Sequence, residues 1–195
     1  MFDARLLLVS CLLVTGSAQA AHKAVDKAGD NVGDSAVPGS PKSACMDGPI
    51  AQFGRYIGDW KIEDEQLAQD GSGWGPGDGA RWIFECIGDG VGVQDYWLPN
   101  KGGFGTNLRV YNPDTGRWEI VWTATPINGL THISAQQNDQ GDIVMSVENP
   151  KPDPPRRITF FPPDEGGWNW VMEMSFDEGK TWTPVYRIKA TPWAG

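Results

Sequence analysis

Arg109, His132 and Glu173 are polar side chains set within apolar, alternating runs, and Tyr96 adds a phenol to a fourth such run. Pointing inward, Arg109 and Glu173 could pair and hold a ligand carboxylate or hydroxyl. Pointing outward they are solvated surface, the commoner fate of a charge in a strand. His132 is the one histidine besides His22. It could act as a general base, although a lone strand histidine is more often a hydrogen-bonded structural side chain. Tyr96 and Tyr186 offer further hydrogen-bonding tips. The chain also carries ten tryptophans, whose flat faces and N–H groups line pockets as well as fill cores. Trp122 and Trp170 lie mid-strand on aromatic faces and are the favoured pocket residues. These groups suit the binding of a small apolar or aromatic molecule. The alternative is an enclosed acid–base reaction of the cyclase, isomerase or hydratase type.

Established catalytic signatures do not support the enzyme alternative. The chain has no Gly-x-Ser-x-Gly elbow, no phosphate-cradling loop and no His-Glu-x-x-His helix. Asp64 and Glu65 are adjacent, so in a strand they face opposite ways and make a poor acid–base pair. Cysteines and histidines are scattered without a close-spaced ligand pair, so no metal site is expected, and no cofactor is implied. A net charge of −9 disfavours nucleic acid and anionic membrane surfaces as partners.

The elements that would position these side chains follow from periodicity. Trp118, Ile120 and Trp122 share one strand face. Trp168, Trp170, Met172 and Met174 share another, as do Trp82, Phe84 and Cys86. Turn chemistry separates the runs at Asp114-Thr115-Gly116, Asp139-Gln140-Gly141 and Asp177-Glu178-Gly179. Strands are expected at 57–66, 79–88, 91–98, 104–112, 117–124, 128–137, 141–149, 156–162, 167–176 and 181–190. The glycine-rich loop 69–79 and the prolines at 150, 152, 154 and 155 read as breaks. A short helix is expected over 46–56, with Asp47 as its N-cap and Pro49 in its first turn. About ten short strands with one apolar face each predict an all-β fold, an antiparallel up-and-down barrel, which hides its edges by closing. A two-sheet sandwich is the alternative.

Residues 1–20 read as a signal peptide: Arg5, an apolar core over Leu6 to Val14, then Ala18-Gln19-Ala20 as a cleavage site. That core is too short to span a bilayer. Export to the periplasm or beyond is therefore expected. Leu8-Val9-Ser10-Cys11 offers an alternative, lipidation of Cys11 as an anchor. Residues 21–45 read as a flexible linker and 46–195 as the barrel domain. Cys45 and Cys86 permit one disulfide in an oxidising compartment; equally, Cys86 could be a small buried hydrophobe and Cys45 a free thiol.

Two resemblances accompany these readings. Ser175-Phe176-Asp177-Glu178-Gly179-Lys180-Thr181-Trp182 resembles the Asp-box, a hairpin motif familiar from sialidase propellers. It occurs once in full, so Asp177, Gly179 and Trp182 are read as structural. Gly58-Asp59-Trp60, after the expected helix, resembles the Gly-x-Trp signature of calycins, the lipocalin-like barrels. With Gly105 to Tyr111, Asp114 to Trp118 and Asp177 to Trp182 in order, the chain is similar to an uncharacterised bacterial branch of that superfamily over about residues 50–190. The resemblance implies a structural pair, Arg187 of the last strand laid across Trp60 of the first. A guanidinium over an indole would gain a cation–π contact there. No catalytic residue is implied.

Overall fold

The computed structural model describes residues 40–127 and 129–194. The expected signal peptide and most of the expected linker lie outside the described residues. Eleven strands follow one another: β1 (Gly58–Leu67), β2 (Trp74–Pro76), β3 (Ala80–Ile87), β4 (Gly92–Pro99), β5 (Gly105–Asn112), β6 (Arg117–Ala124), β7 (Thr131–Gln137), β8 (Ile143–Asn149), β9 (Arg156–Phe160), β10 (Trp168–Met174) and β11 (Thr183–Pro192). Each strand from β3 to β11 pairs antiparallel with the next. β1 pairs with β3 on one side and with β11 on the other, from Trp60 opposite Pro192 to Gln66 opposite Tyr186. Ten strands thus close an antiparallel barrel. Closure gives every ring strand two neighbours, and β1 runs past the end of one of them, β3.

The short β2 was not expected, because its Gly and Pro content argues against a strand interior. It lies on β1 beyond the end of β3, with Glu65 opposite Pro76 and Leu67 opposite Trp74. Pro76 is tolerated there because this strand stands outside the ring, at an edge where a missing N–H forfeits no ladder bond.

One end of the barrel is closed by the segment before β1. A 3-10 turn at Gly48–Ile50, with Pro49 early in it, runs into the helix α1 (Ala51–Gly54). Asp47 occupies the N-cap position of that turn, yet its side chain makes no capping bond. Phe53 and Tyr56 are completely buried. Phe53 meets Trp118 edge-on at 4.8 Å and Phe160 at 5.6 Å, and Tyr56 meets Trp168 at 5.2 Å. Such edge-to-face pairs add about 0.5–1.5 kcal/mol each beyond the area they bury. Polar ends are tied as well. Trp118 Nε1 donates to Gln52 Oε1 at 2.8 Å, and the Tyr56 hydroxyl donates to the Phe161 carbonyl at 2.9 Å. Burial pushes the Tyr56 phenol up to about 12, with Arg55 opposing the shift.

The seal continues upstream of the expected domain boundary at residue 45. Lys42–Cys45 form a 3-10 turn, Ser40 bridges to Cys86, and Lys42 Nζ donates to the Ile57 carbonyl. Cys45 and Cys86 are joined in a disulfide with Cα atoms 5.8 Å apart. Gly54 has no room for a side chain: a Cβ there would collide with the Cys45 carbonyl. The linker reading is therefore corrected for residues 40–45, which the disulfide and these contacts hold on the barrel.

Candidate functional site

Away from the plugged end, the barrel interior opens into a cavity of about 500 Å³. Its walls follow from strand parity. Trp82 and Trp97 come from β3 and β4, Trp122 from β6, Ile133 from β7, and Met145 and Val147 from β8. Ile158, Phe160, Trp170, Met172 and Ile188 complete the apolar wall. The volume falls within the usual range for small-molecule sites, and an apolar wall with few polar groups is their usual composition.

The cavity floor is polar. Arg109 and Asn107 of β5 share the inward parity, and Asp95 of β4 lies opposite Asn107 in the ladder. Arg109 Nη2 and Asp95 Oδ2 are 2.5 Å apart, and both side chains are essentially inaccessible. Asn107 Nδ2 donates to both Asp95 oxygens, at 3.1 and 3.0 Å, and the Asn107 backbone N–H donates to Oδ1 at 2.9 Å. The guanidinium carbon stands 4.9 Å from the Phe53 ring centre and 5.1 Å from that of Phe84. A buried cation is thus held by one carboxylate and by the negative faces of two rings. Its Nε and Nη1 have no hydrogen-bond partner among the described residues, and neither does Trp82 Nε1.

Higher on the wall, the Tyr186 hydroxyl donates to Asp64 Oδ2 at 2.6 Å, while Asp64 Oδ1 accepts the Gly79 N–H at 2.7 Å. Burial, then the adjacent Asp64 carboxylate, raises the Tyr186 pKa far above the usual phenol range, so its proton stays in place. Trp170 packs edge-on against Tyr186 at 5.5 Å. The mouth is formed by Thr131 and by the β8–β9 connection, from which Pro150, Lys151 and Pro152 reach the cavity, with Arg156 beside them.

The structure brings Trp122, Trp170 and Arg109 of the expected site residues to this cavity. The others lie elsewhere. His132 is exposed and alternates with the inward Ile133, at a point where the β7–β8 register shifts. Glu173 alternates with Met172 and faces outward, 2.8 Å from Arg157. It therefore does not pair with Arg109, whose carboxylate is Asp95. Tyr96 lies between the inward Asp95 and Trp97 and faces outward, its ring 6.3 Å from Phe104. Desolvation, then the neighbouring Glu85, raises its pKa. These three positions are corrections of one kind: strand parity turns them away from the interior.

The expected Trp60–Arg187 stack does not form. Arg187 pairs with Glu65 at 2.7 Å and lies 4.2 Å over the Trp74 ring. In the β1–β11 register Trp60 faces Pro192 and Arg187 faces Glu65, so the two side chains leave opposite faces of the sheet. Trp60 instead donates to the Tyr56 carbonyl at 2.8 Å and meets Trp168 edge-on. The Asp-box residues shape the β10–β11 hairpin. Asp177 accepts from Ser175 Oγ, the Thr181 N–H and Thr181 Oγ1 at 2.7–2.9 Å, and these bonds lower its pKa. Gly179 adopts φ 89°, and its N–H donates to Ser175 Oγ. Trp182 stacks under Arg157, 4.6 Å from ring centre to guanidinium.

Asp95, Asn107, Trp82 and Trp97 escaped the sequence reading as site residues. A signal existed for Asp95, which shares the parity of Val93 and Trp97; Arg109 gave none, since the apolar Phe104, Leu108 and Val110 of its run lie on the other parity. Only the register across the 100–104 turn says that they meet. No protein-family model matches the chain, and no curated protein aligns with it at a significant level.

Proposed function

We propose that this chain is an exported, calycin-like barrel that binds a small apolar or aromatic molecule in its interior. The observation that carries this reading is the cavity of about 500 Å³ walled by Trp82, Trp97, Trp122 and Trp170. A stacking ligand would recover the dispersion contacts that an unfilled wall forgoes. The closed antiparallel ring, its preceding helix and Gly58-Asp59-Trp60 at the first strand support the calycin-like reading. The Cys45–Cys86 disulfide fits an oxidising compartment and so supports export. The enzymatic alternative loses His132, Glu173 and Tyr96, which face away from the cavity, and the Arg109 and Tyr186 that remain are already engaged by Asp95 and Asp64.

Four tryptophans in the wall make binding directly measurable. Titrating the protein with fatty acids, haem and aromatic metabolites should give a saturable change in tryptophan fluorescence for at least one class. A flat response across the whole panel would remove the proposal.

A further inference from the structure

We infer that the ligand is an anionic amphiphile, with its apolar body in the cavity and its acidic head at the mouth between Lys151 and Arg156. This rests on the binding reading above. In a chain of net charge −9, every charged side chain that lines the cavity among the described residues is a cation: Arg109 at the floor, Lys151 and Arg156 at the mouth.

The floor and the mouth differ in how those charges are met. Arg109 already has Asp95 at 2.5 Å. An acidic head there would be a second carboxylate beside one buried cation, which is costly in an apolar site. Lys151 and Arg156 form no ion pair among the described residues. The contrast within β9 is informative. Arg157 faces outward and is tied to Glu173 and Trp182. Arg156, one residue earlier, falls on the parity of Ile158 and Phe160 and has no carboxylate partner. Solvated cations at the rim of an apolar chamber attract an anion without its full desolvation, while the chamber takes the tail. The connection between them also carries Asp153, which is exposed and does not line the cavity.

The test uses pairs of probes that share one apolar body and differ in the head, an anionic carboxylate against its neutral methyl ester: dodecanoate with methyl dodecanoate, and naphthylacetate with its methyl ester, read by tryptophan fluorescence. In each pair that binds, the acid should bind about tenfold more tightly than the ester at low ionic strength, and added salt should shrink the difference. A Lys151→Gln, Arg156→Gln double variant should bring the acid down to the affinity of the ester and leave the ester unchanged. Both residues are exposed, so its thermal midpoint should match that of the parent. Equal binding of acid and ester would overturn the inference and leave the apolar cavity reading intact. A preference that survives the double variant would place the head elsewhere and overturn it too. If no probe of either kind binds, the cavity reading fails and the inference fails with it.

Discussion

Arg109 sits between the rings of Phe53 and Phe84 with Asp95 as its countercharge, so the two residues stand or fall together. Removing one member of a buried pair strands the other in an apolar site, at a cost of about 3–5 kcal/mol. Asp95→Ala should therefore lower unfolding free energy by that order in urea. Asp95→Leu combined with Arg109→Met should recover part of the loss, because apolar replacements leave no unpaired charge, while Asn107 still loses the acceptor of its N–H and amide. A single variant as stable as the parent would show that the rings alone suffice for the guanidinium. The same residues mark how far sequence reading reaches. Arg109 was legible as an anomaly within a strand. Its partner was not, because Glu173 and Asp95 are equally plausible carboxylates until register is known.

The plug and the hairpins belong to the scale of elements. Among the described residues before β1, the one α-helix has four residues, too short to hold itself by backbone hydrogen bonds. What fixes it is burial of Phe53 and Tyr56 and the tether at Cys45. The disulfide spans a sequence separation of 41, and closing a loop of that size restrains the unfolded chain by about 4 kcal/mol. Cys45→Ser with Cys86→Ser should reduce the urea midpoint accordingly. It should leave ligand affinity nearly unchanged, since the tether is at the plugged end. An unchanged midpoint would mean that the aromatic contacts hold the segment unaided. Strand alternation and the Asp-box turn were readable because each depends on residues within about ten positions. Strand β2 was not, because Trp74-Gly75-Pro76 pairs only by virtue of the free edge that β1 offers past the end of β3.

For the whole molecule, closure converts ten amphipathic strands into an inside and an outside. The inside is filled at one end by aromatic packing and hollow at the other. Val147 lines the hollow part and is only half-buried, so a larger side chain can enter without displacing the core. Val147→Trp should abolish the ligand-dependent fluorescence change while circular dichroism and the thermal midpoint stay near those of the parent. Persistent binding in that variant would put the ligand outside the barrel. Overpacking a dense core would be destabilising, so retained stability also reports that the space is open.

From its sequence alone this chain declares strands of period two, the turns between them and an aromatic face, because those properties are set by neighbours along the backbone. Tertiary structure alone decided which polar groups meet. Glu65 and Arg187 are 122 residues apart, and the register that joins them also separates Arg187 from Trp60. Ring closure aligns distant strands in one of two parities, and a single step reverses which side chains reach the cavity. That is why Arg109 and Arg156 line it while His132, Tyr96 and Glu173 do not.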